Sequence, residues 1–304
     1  MSSYFTRLCR DLVRNRAVYF MLLPVVAYYV IFHYGPMYGL QIAFKDFSPA
    51  KGIGGSPWVG WKHFESFFGS VYFGRILGNT LLLSLYSLIF FFPTGIIFAL
   101  LLNELRSGKL RKAVQTISYM PHFISLVVIV GMLFDFLARD GLINQVLGYL
   151  GIEAIPFMRS PGWFRTIYIS SEIWQSIGWS SIVYLAAIST VNPTLYEAAR
   201  MDGAGRFKQM WHVTLPGIIP TITIMLILFI GKFMTVSFEK IILMYNPVIY
   251  ETADVIQTYV YRKGILEADF SYSAAVGLFN AVISFALLIT ANAVAKKLGE
   301  TKLW

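Results

Sequence analysis

The sequence predicts an all-α polytopic membrane protein, and composition, apolar runs and charge distribution each support that fold class. Of the 304 residues, 57% are hydrophobic and 13% are charged, whereas ordinary globular domains carry roughly a quarter charged residues. Mean hydropathy is +0.62, and several apolar runs approach the ~20 residues that a helix needs to cross a bilayer. A water-soluble fold could not bury so many large apolar side chains.

Six membrane-spanning helices are predicted within one domain, 1–304. They cover 18–44, 77–103, 113–138, 164–190, 214–237 and 272–295. Arg14 and Arg16 precede the first apolar run, as they would in a signal peptide. The run continues past residue 30 without a small-residue cleavage site, however, so we expect a retained helix.

Lysine and arginine set the predicted orientation. If the N-terminus is inside, the inside segments are 1–17, 104–112, 191–213 and 296–304, which hold fourteen cations in 58 residues. The outside loops, 45–76, 139–163 and 238–271, hold nine cations in 91 residues. Cytoplasmic loops carry the excess of positive charge, so both termini are predicted to be cytoplasmic. The net charge of +9 then reflects topology and contact with membrane lipid. A nucleic-acid partner is not expected, because no basic patch is interleaved with stacking aromatic residues.

Metal and disulfide chemistry are not expected. Cys9 is the single cysteine, which excludes an intramolecular disulfide and a cysteine metal site, and we expect an inert thiol. The four histidines are scattered without the spacing of metal ligands.

A polar segment at 191–216 separates the fourth and fifth predicted spans. Thr194 is followed three residues later by Glu197, which is a capping-box pattern and predicts a helix from Leu195. Most connections between helices are shorter than this segment, so an ordered element is favoured over a plain loop.

The second half of that segment predicts a bend and a further helix. Gly203 suits a left-handed stop, and a helix from Arg206 is expected to run into the fifth span near Pro216. The small residues around the bend leave a low surface that the backbone of another protein could approach closely.

The same segment resembles the EAA loop of the membrane subunits of type I ABC importers. The spacing Glu-Ala-Ala, three residues, Gly, nine residues, Val, one residue, Leu-Pro matches that motif, with Val213 where isoleucine is usual. The sequence Asp-Gly-Ala-Gly at the bend looks like the sugar-importing branch. The residues expected to couple to the ATPase are Glu197, Ala198, Ala199, Asp202, Gly203, Ala204, Gly205, Leu215 and Pro216.

Resemblance extends over nearly the whole chain. The stretches 35–49, 55–64, 237–264 and 275–292 look like the polysaccharide and oligosaccharide permeases of Gram-positive bacteria. The resemblance implies a type I ABC importer permease fold in the bacterial plasma membrane, and a permease subunit of an ATP-driven oligosaccharide importer. The implied partners are a second homologous permease, two nucleotide-binding ATPase subunits and an extracellular lipid-anchored solute-binding protein.

No nucleotide site is expected on this chain. It lacks the G-x-x-x-x-G-K-[ST] loop that cradles phosphates, so ATP and Mg²⁺ would bind to the partner ATPase. The alternative function is an ion-coupled secondary transporter, which predicts internal repeats and an intramembrane carboxylate relay, but no clear repeat is present and carboxylates are sparse. An intramembrane enzyme would need a constellation such as G-x-S-x-G or H-E-x-x-H, and neither occurs.

A first polar stripe lies on the fourth predicted span. Tyr168, Glu172, Gln175 and Trp179 recur at helical spacing and share one face. Hydrogen-bonding groups beside aromatic rings suit a sugar, so this face is predicted to line the substrate path. A polar seam between packed helices is the alternative.

A second stripe is predicted on the fifth span, at Lys232, Thr235 and Glu239. Pairing of Lys232 with Glu172 would cancel two charges in the membrane. Asn280 on the last span either joins the same path or packs against a neighbouring helix.

Overall fold

The computed structural model describes residues 14–297, so Cys9 and the two ends of the chain lie outside the described residues. The regular secondary structure of this part of the chain is helical, apart from one isolated antiparallel bridge between Lys45 and Trp58. The main helices are α1 (Arg16–Phe44), α2 (Phe73–Glu104), α3 (Gly108–Phe123), α4 (Leu126–Phe136), α5 (Pro161–Ser189), α6 (Pro193–Met201), α7 (Arg206–Gly231), α8 (Phe238–Met244) and α9 (Phe270–Lys297). Shorter helices include Lys62–Phe68, Leu142–Tyr149 and Ile256–Tyr261.

The all-α membrane fold is confirmed, while the count of six spans is approximate. Four helices, α1, α2, α7 and α9, are long and apolar enough to cross a membrane, and the bent pair α3–α4 makes up to five. The remaining predicted span, the fourth at 164–190, corresponds to α5. Its 29 residues reach roughly 43 Å at 1.5 Å per residue, but serines, Arg165 and Glu172 lower its hydropathy.

The third predicted span is not one straight helix. α3 and α4 meet at an angle of 98°. Pro121 lies in a short 3₁₀ turn, Met120–Phe123, and the chain is extended at Ile124 and Ser125. The hydroxyl of Ser125 then accepts a hydrogen bond from the backbone N–H of Val128 at 3.4 Å and caps α4, so a new helix starts in a new direction.

The fifth predicted span ends six residues early, at Gly231 rather than at 237. Lys232 is the C-cap of α7, Thr235 lies in the irregular segment that follows, and Glu239 lies in α8. The prediction that these three side chains form one helical stripe is therefore wrong.

Side chains from other elements stabilise the irregular segment. Backbone groups outside a helix need partners at membrane depth, because lipid offers none. Three hydrogen bonds supply them: Ser84 Oγ donates to the carbonyl of Phe233, Gln257 Nε2 donates to that of Met234 at 2.6 Å, and the N–H of Ser237 donates to the Tyr168 hydroxyl at 3.1 Å.

Helix α5 lies at the centre of the molecule and packs against α2, α3 and α7, while α9 packs against α7 and the last part of α1. One apolar cluster surrounds Tyr168 in the N-terminal half of α5, and a second surrounds Tyr184 in the C-terminal half. The most apolar window of α1 buries none of its residues within the chain, so lipid or another subunit must cover it.

A buried carboxylate fixes the segment between α8 and α9. Asp254 is fully buried and accepts from the guanidinium of Arg262 at 3.2 and 2.7 Å and from Arg75 at 3.4 Å. Asn79 on α2 donates to the carbonyls of Glu251 and Asp254 at 2.8 and 3.0 Å. These bonds tie the segment to the N-terminal end of α2.

Candidate functional site

The polar segment at 191–216 folds into helix α6, a tight bend and the start of α7. Pro193 occupies the first helical position, where a missing N–H costs nothing. Asn192 is therefore the cap, and its side-chain oxygen accepts from the N–H of Thr194 at 3.0 Å. The prediction that Thr194 caps a helix from Leu195 with Glu197 is wrong by two residues, because it ignored the proline.

Gly203 ends α6 in the left-handed conformation, with φ +75°, as the sequence predicts. The N–H of Ala204 donates to the carbonyl of Ala199 at 2.8 Å, and the N–H of Gly203 donates to that of Arg200 at 3.0 Å. This pair of bonds is the Schellman motif, which closes a helix on a residue with positive φ. Ala199, Gly203 and Ala204 thus form one compact bend.

Helix α7 begins at Arg206, also as predicted, and passes through a π turn at Met210–Thr214 into its membrane part. Pro216 has no N–H to donate, and the wide turn lies immediately before it. The Tyr196 hydroxyl donates to Thr214 Oγ1 at 3.0 Å, which ties α6 to α7. Helix α6 is therefore mechanically connected to a membrane-spanning helix.

The outer surface of the bend carries large apolar side chains. Met201 is 89% exposed and Phe207 is 82% exposed, and they flank the small residues of the bend. Leu195 and Trp211 are also exposed. Glu197, Ala198, Asp202 and Gly205 are exposed as well, whereas Ala199 and Ala204 are half-buried. Such a surface at the end of a membrane protein fits a protein partner.

Behind the bend lies a polar cavity of about 490 Å³ between α6 and the α2–α3 connection. Four arginines line it: Arg106, Arg111, Arg200 and Arg206. Arg206 donates to the backbone carbonyl of Glu104 at 3.4 Å, so the start of α7 is also attached to the end of α2.

A smaller cavity of about 180 Å³ lies among α2, α5 and the segment after α7. Four residues of the two predicted stripes, Tyr168, Glu172, Lys232 and Thr235, border it. Ser87 on α2 donates to Glu172 Oε2 at 3.3 Å. Lys232 makes no ion pair within 4 Å among residues 14–297, so the predicted pair with Glu172 is not present.

The sequence reasoning missed Lys240, whose charge and that of Glu172 act on each other, although the two side chains make no ion pair within 4 Å. Lys240 is 2% exposed; its Nζ donates to the carbonyl of Tyr168 at 3.1 Å and lies 4.9 Å from the centre of the Tyr168 ring. Burial lowers the pKa of Lys240 to about 8, and the negative charge of Glu172 acts in the opposite direction. A lysine inside the mostly apolar stretch 238–244 is the one signal that could have drawn attention to it.

The structure separates the remaining predicted path residues. Tyr168 is 1% exposed and packs in the core beside the cavity, so most of it cannot meet a solute. Trp179 is 45% exposed and stacks on His122 at 4.5 Å, at the α3–α4 bend. Gln175 is half-buried on the same helix, and Glu239 is exposed on α8. Neither lines the small cavity.

Asn280 borders a different cavity of about 440 Å³, between α9 and the helix Ile256–Tyr261. Its Oδ1 and the Oε1 of Gln257 are buried there without a hydrogen-bond partner. Asn280 thus does not join Glu172 and Lys232.

The sequence of this chain is similar to those of known transport proteins. Residues 92–300 match the family described as binding-protein-dependent transport system inner membrane component. The polygalacturonan/rhamnogalacturonan transport system permease protein YteP of Bacillus subtilis is 48% identical over 97% of this chain and 92% of its own length. Protein LplB of the same organism is 45% identical over 96% of this chain and 92% of its own length.

Solved structures of ABC transporters also contain chains that resemble this one. A bacterial ABC transporter that imports the acidic polysaccharide alginate contains a chain with a TM-score of 0.90 and 46% identity, over 96% of this chain and 99% of that one. A second structure of a bacterial alginate ABC transporter, in complex with an alginate pentasaccharide-bound periplasmic protein, aligns with a TM-score of 0.91 and 45% identity, over 98% of this chain and all of that one.

These similarities confirm the type I ABC permease fold and favour ATP-driven import over the alternative of a secondary transporter. The matched proteins are transport subunits and not enzymes. This chain therefore belongs to the family of binding-protein-dependent transport system inner membrane components and is a permease subunit of an ABC importer.

Proposed function

We propose that this permease imports acidic oligosaccharides, the breakdown products of polysaccharides that contain uronic acids. Two independent similarities support the substrate class. One relative is a polygalacturonan/rhamnogalacturonan permease, and the matched structures belong to importers of the acidic polysaccharide alginate. Both polymers carry sugar carboxylates, although they differ in the sugar itself.

The assembly we propose contains a second homologous permease, two ATPase subunits and an extracellular lipid-anchored binding protein. The uncovered apolar face of α1 supports a permease neighbour. ATP and Mg²⁺ would bind only to the ATPase subunits, since this chain has no P-loop.

The bend at Gly203 is the main structural support for a role in coupling the permease to the ATPase. Helix α6, the Schellman bend and the start of α7 present Glu197, exposed Met201 and exposed Phe207 on one surface, within the EAA motif. We infer that this surface docks on the ATPase. Closure of the ATPase dimer would move α6, and the Tyr196–Thr214 bond would pass the movement to α7. The permease would then work by alternating access. Its substrate path would open to the outside when ATP binds and return to the inward-facing state after hydrolysis.

The substrate path we propose runs along the partly exposed face of α5, past Trp179 and Gln175, and along the segment that holds Lys232 and Thr235. Trp179 offers a ring for a sugar face. Because Tyr168 is buried, we infer that it positions Lys240 and Ser237 and does not bind sugar.

Reconstitution tests this function. The chain is purified with its partner permease, ATPase and binding protein and placed in proteoliposomes with ATP inside. We expect Mg²⁺-dependent ATP hydrolysis that rises several-fold with binding protein loaded with trigalacturonate or an alginate trisaccharide, together with uptake of that sugar. Maltotriose serves as the neutral reference. Uptake that continues without ATP and follows an ion gradient would contradict the proposal, and preferential uptake of maltotriose would contradict the substrate class.

A further inference from the structure

Two lysines and one carboxylate lie in and around the small cavity beside α5. Glu172 and Lys232 border it, and Lys240 packs directly behind Tyr168. Ser87 donates a hydrogen bond to Glu172, and the negative charge of Glu172 also acts on Lys240, although the two side chains make no ion pair within 4 Å. One carboxylate cannot neutralise two ammonium groups, so one positive charge is left over.

That remaining charge belongs to Lys232. Lys240 is almost fully buried and held by the Tyr168 carbonyl, whereas Lys232 is exposed. Within residues 14–297, the ammonium group of Lys232 has no hydrogen bond and no ion pair. It follows directly after the last residue of a membrane-spanning helix, where an unpaired charge is costly and marks a functional site by default.

The surroundings of Lys232 suit a sugar that carries a carboxylate. The cavity also presents the side chains of Ser87, Thr235 and Ser237, which are hydroxyl groups of the kind that bind sugar hydroxyls. An ammonium group forms strong charge-assisted hydrogen bonds to a carboxylate. Its three rotatable donors on a flexible stem do not demand one fixed orientation, which suits a solute that must enter and leave.

We propose that Lys232 is the specificity-determining residue of the path, which attracts the carboxylate of a passing uronic acid, while Glu172 is the counter-ion of buried Lys240. This assignment rests on the proposed import of acidic oligosaccharides. Glu172 has a second effect, because its negative charge beside the same cavity opposes tight capture of the substrate carboxylate and favours its release.

The test uses a charge series at position 232 in the complete complex. Lys232→Arg, Lys232→Gln and Lys232→Glu are reconstituted, and uptake of trigalacturonate is measured alongside ATP hydrolysis stimulated by the loaded binding protein. Size-exclusion chromatography reports assembly. Lys62→Gln, which removes an exposed lysine from the outer helix Lys62–Phe68, is the matched control.

We expect uptake to fall in the order Lys and Arg, then Gln, then Glu. Lys232→Gln should lose about tenfold or more, the factor that corresponds to one charge-assisted hydrogen bond. Stimulated ATP hydrolysis and assembly should persist, because the substitution changes one side chain of the path, and Lys62→Gln should resemble the wild type.

Three results would overturn the assignment. Wild-type uptake by Lys232→Glu would show that the charge does not matter. Equal failure of Lys232→Arg and Lys232→Glu would show a packing role, and loss of assembly in the Gln and Glu variants would show that Lys232 pairs with the second permease. A wild-type complex that ignores trigalacturonate but imports maltotriose would instead refute the proposed substrate class, so the two failures are distinguishable.

Discussion

At the scale of single residues, substitutions at Gly203 can distinguish backbone strain from the bulk of a new side chain. Its φ of +75° disfavours residues with a Cβ, at about 1–2 kcal/mol, although asparagine tolerates this conformation. A Cβ built at Gly203 would meet no atom of this chain within 4 Å. Any effect of side-chain size must therefore come from a partner that packs against the bend.

The predicted consequence is a particular order among three variants. Gly203→Ala carries the strain but little bulk and should keep most transport. Gly203→Asn and Gly203→Asp relieve part of the strain but place a larger side chain on the docking surface, so they should abolish transport and the response of ATP hydrolysis to loaded binding protein. Uptake, ATP hydrolysis and retention of the ATPase in detergent are the measurements. If Gly203→Ala were the most damaging variant, the bend itself would matter and the docking surface would not.

Which residues could be predicted from the sequence depends on how local their interactions are. Gly203 and the start of α7 at Arg206 follow from neighbouring residues, and both were predicted correctly. The contact between Lys240 and the Tyr168 carbonyl joins positions 72 residues apart, and the bond from Arg75 to Asp254 joins positions 179 apart. The spacing of residues along a single sequence gives no information about contacts between such distant positions.

At the scale of helices, the crossing of α5 and α3 depends on one glycine. A Cβ at Gly178 would lie 2.3 Å from the carbonyl oxygen of Ser118 and 2.5 Å from its carbon. These are backbone atoms of α3, so a flexible side chain cannot rotate away to relieve the clash. Small residues allow such close approach between membrane helices.

We therefore predict that Gly178→Ala destabilises the protein, by about 1–3 kcal/mol as overpacked cores are, while transport falls with the yield of folded protein. Gly131→Ala on α4 is the matched control, because a Cβ there meets nothing within 4 Å. Thermal unfolding of the purified complex in detergent, followed by fluorescence, compares the two. An unchanged unfolding temperature for Gly178→Ala would mean that α3 and α5 do not approach as closely as described.

Helix positions were predicted well from hydropathy, whereas their interruptions were not. The apolar runs place α1, α2 and α9 within a few residues of their observed bounds. The 98° bend after Pro121 and the early end of α7 both fall inside continuous apolar stretches. Each interruption depends on side chains that satisfy the freed backbone, and at α7 those side chains, Ser84 and Gln257, come from distant parts of the chain.

At the scale of the whole molecule, the exposed apolar surface and the charge distribution determine how the chain lies in the membrane. Apolar residues of α1 such as Phe20 and Met21 are more than 70% exposed, so the chain alone leaves a face for lipid or the second permease. The excess of lysine and arginine in the inside segments predicts that the α2–α3 connection and the bend at Gly203 face the cytoplasm. The helix Leu142–Tyr149 would then face the outside.

Accessibility of single cysteines tests that orientation. Cys9 is first changed to serine, which leaves a chain without cysteine. Gly108→Cys, at the exposed start of α3, and Tyr149→Cys, at a side chain that is 89% exposed, are then introduced separately. Both positions are open to a reagent, so labelling reports the side of the membrane and not burial. In right-side-out vesicles, a membrane-impermeant maleimide should label Tyr149→Cys and spare Gly108→Cys. Inverted vesicles should give the opposite result, and labelling of both positions from one side would refute a topology in which they lie on opposite faces.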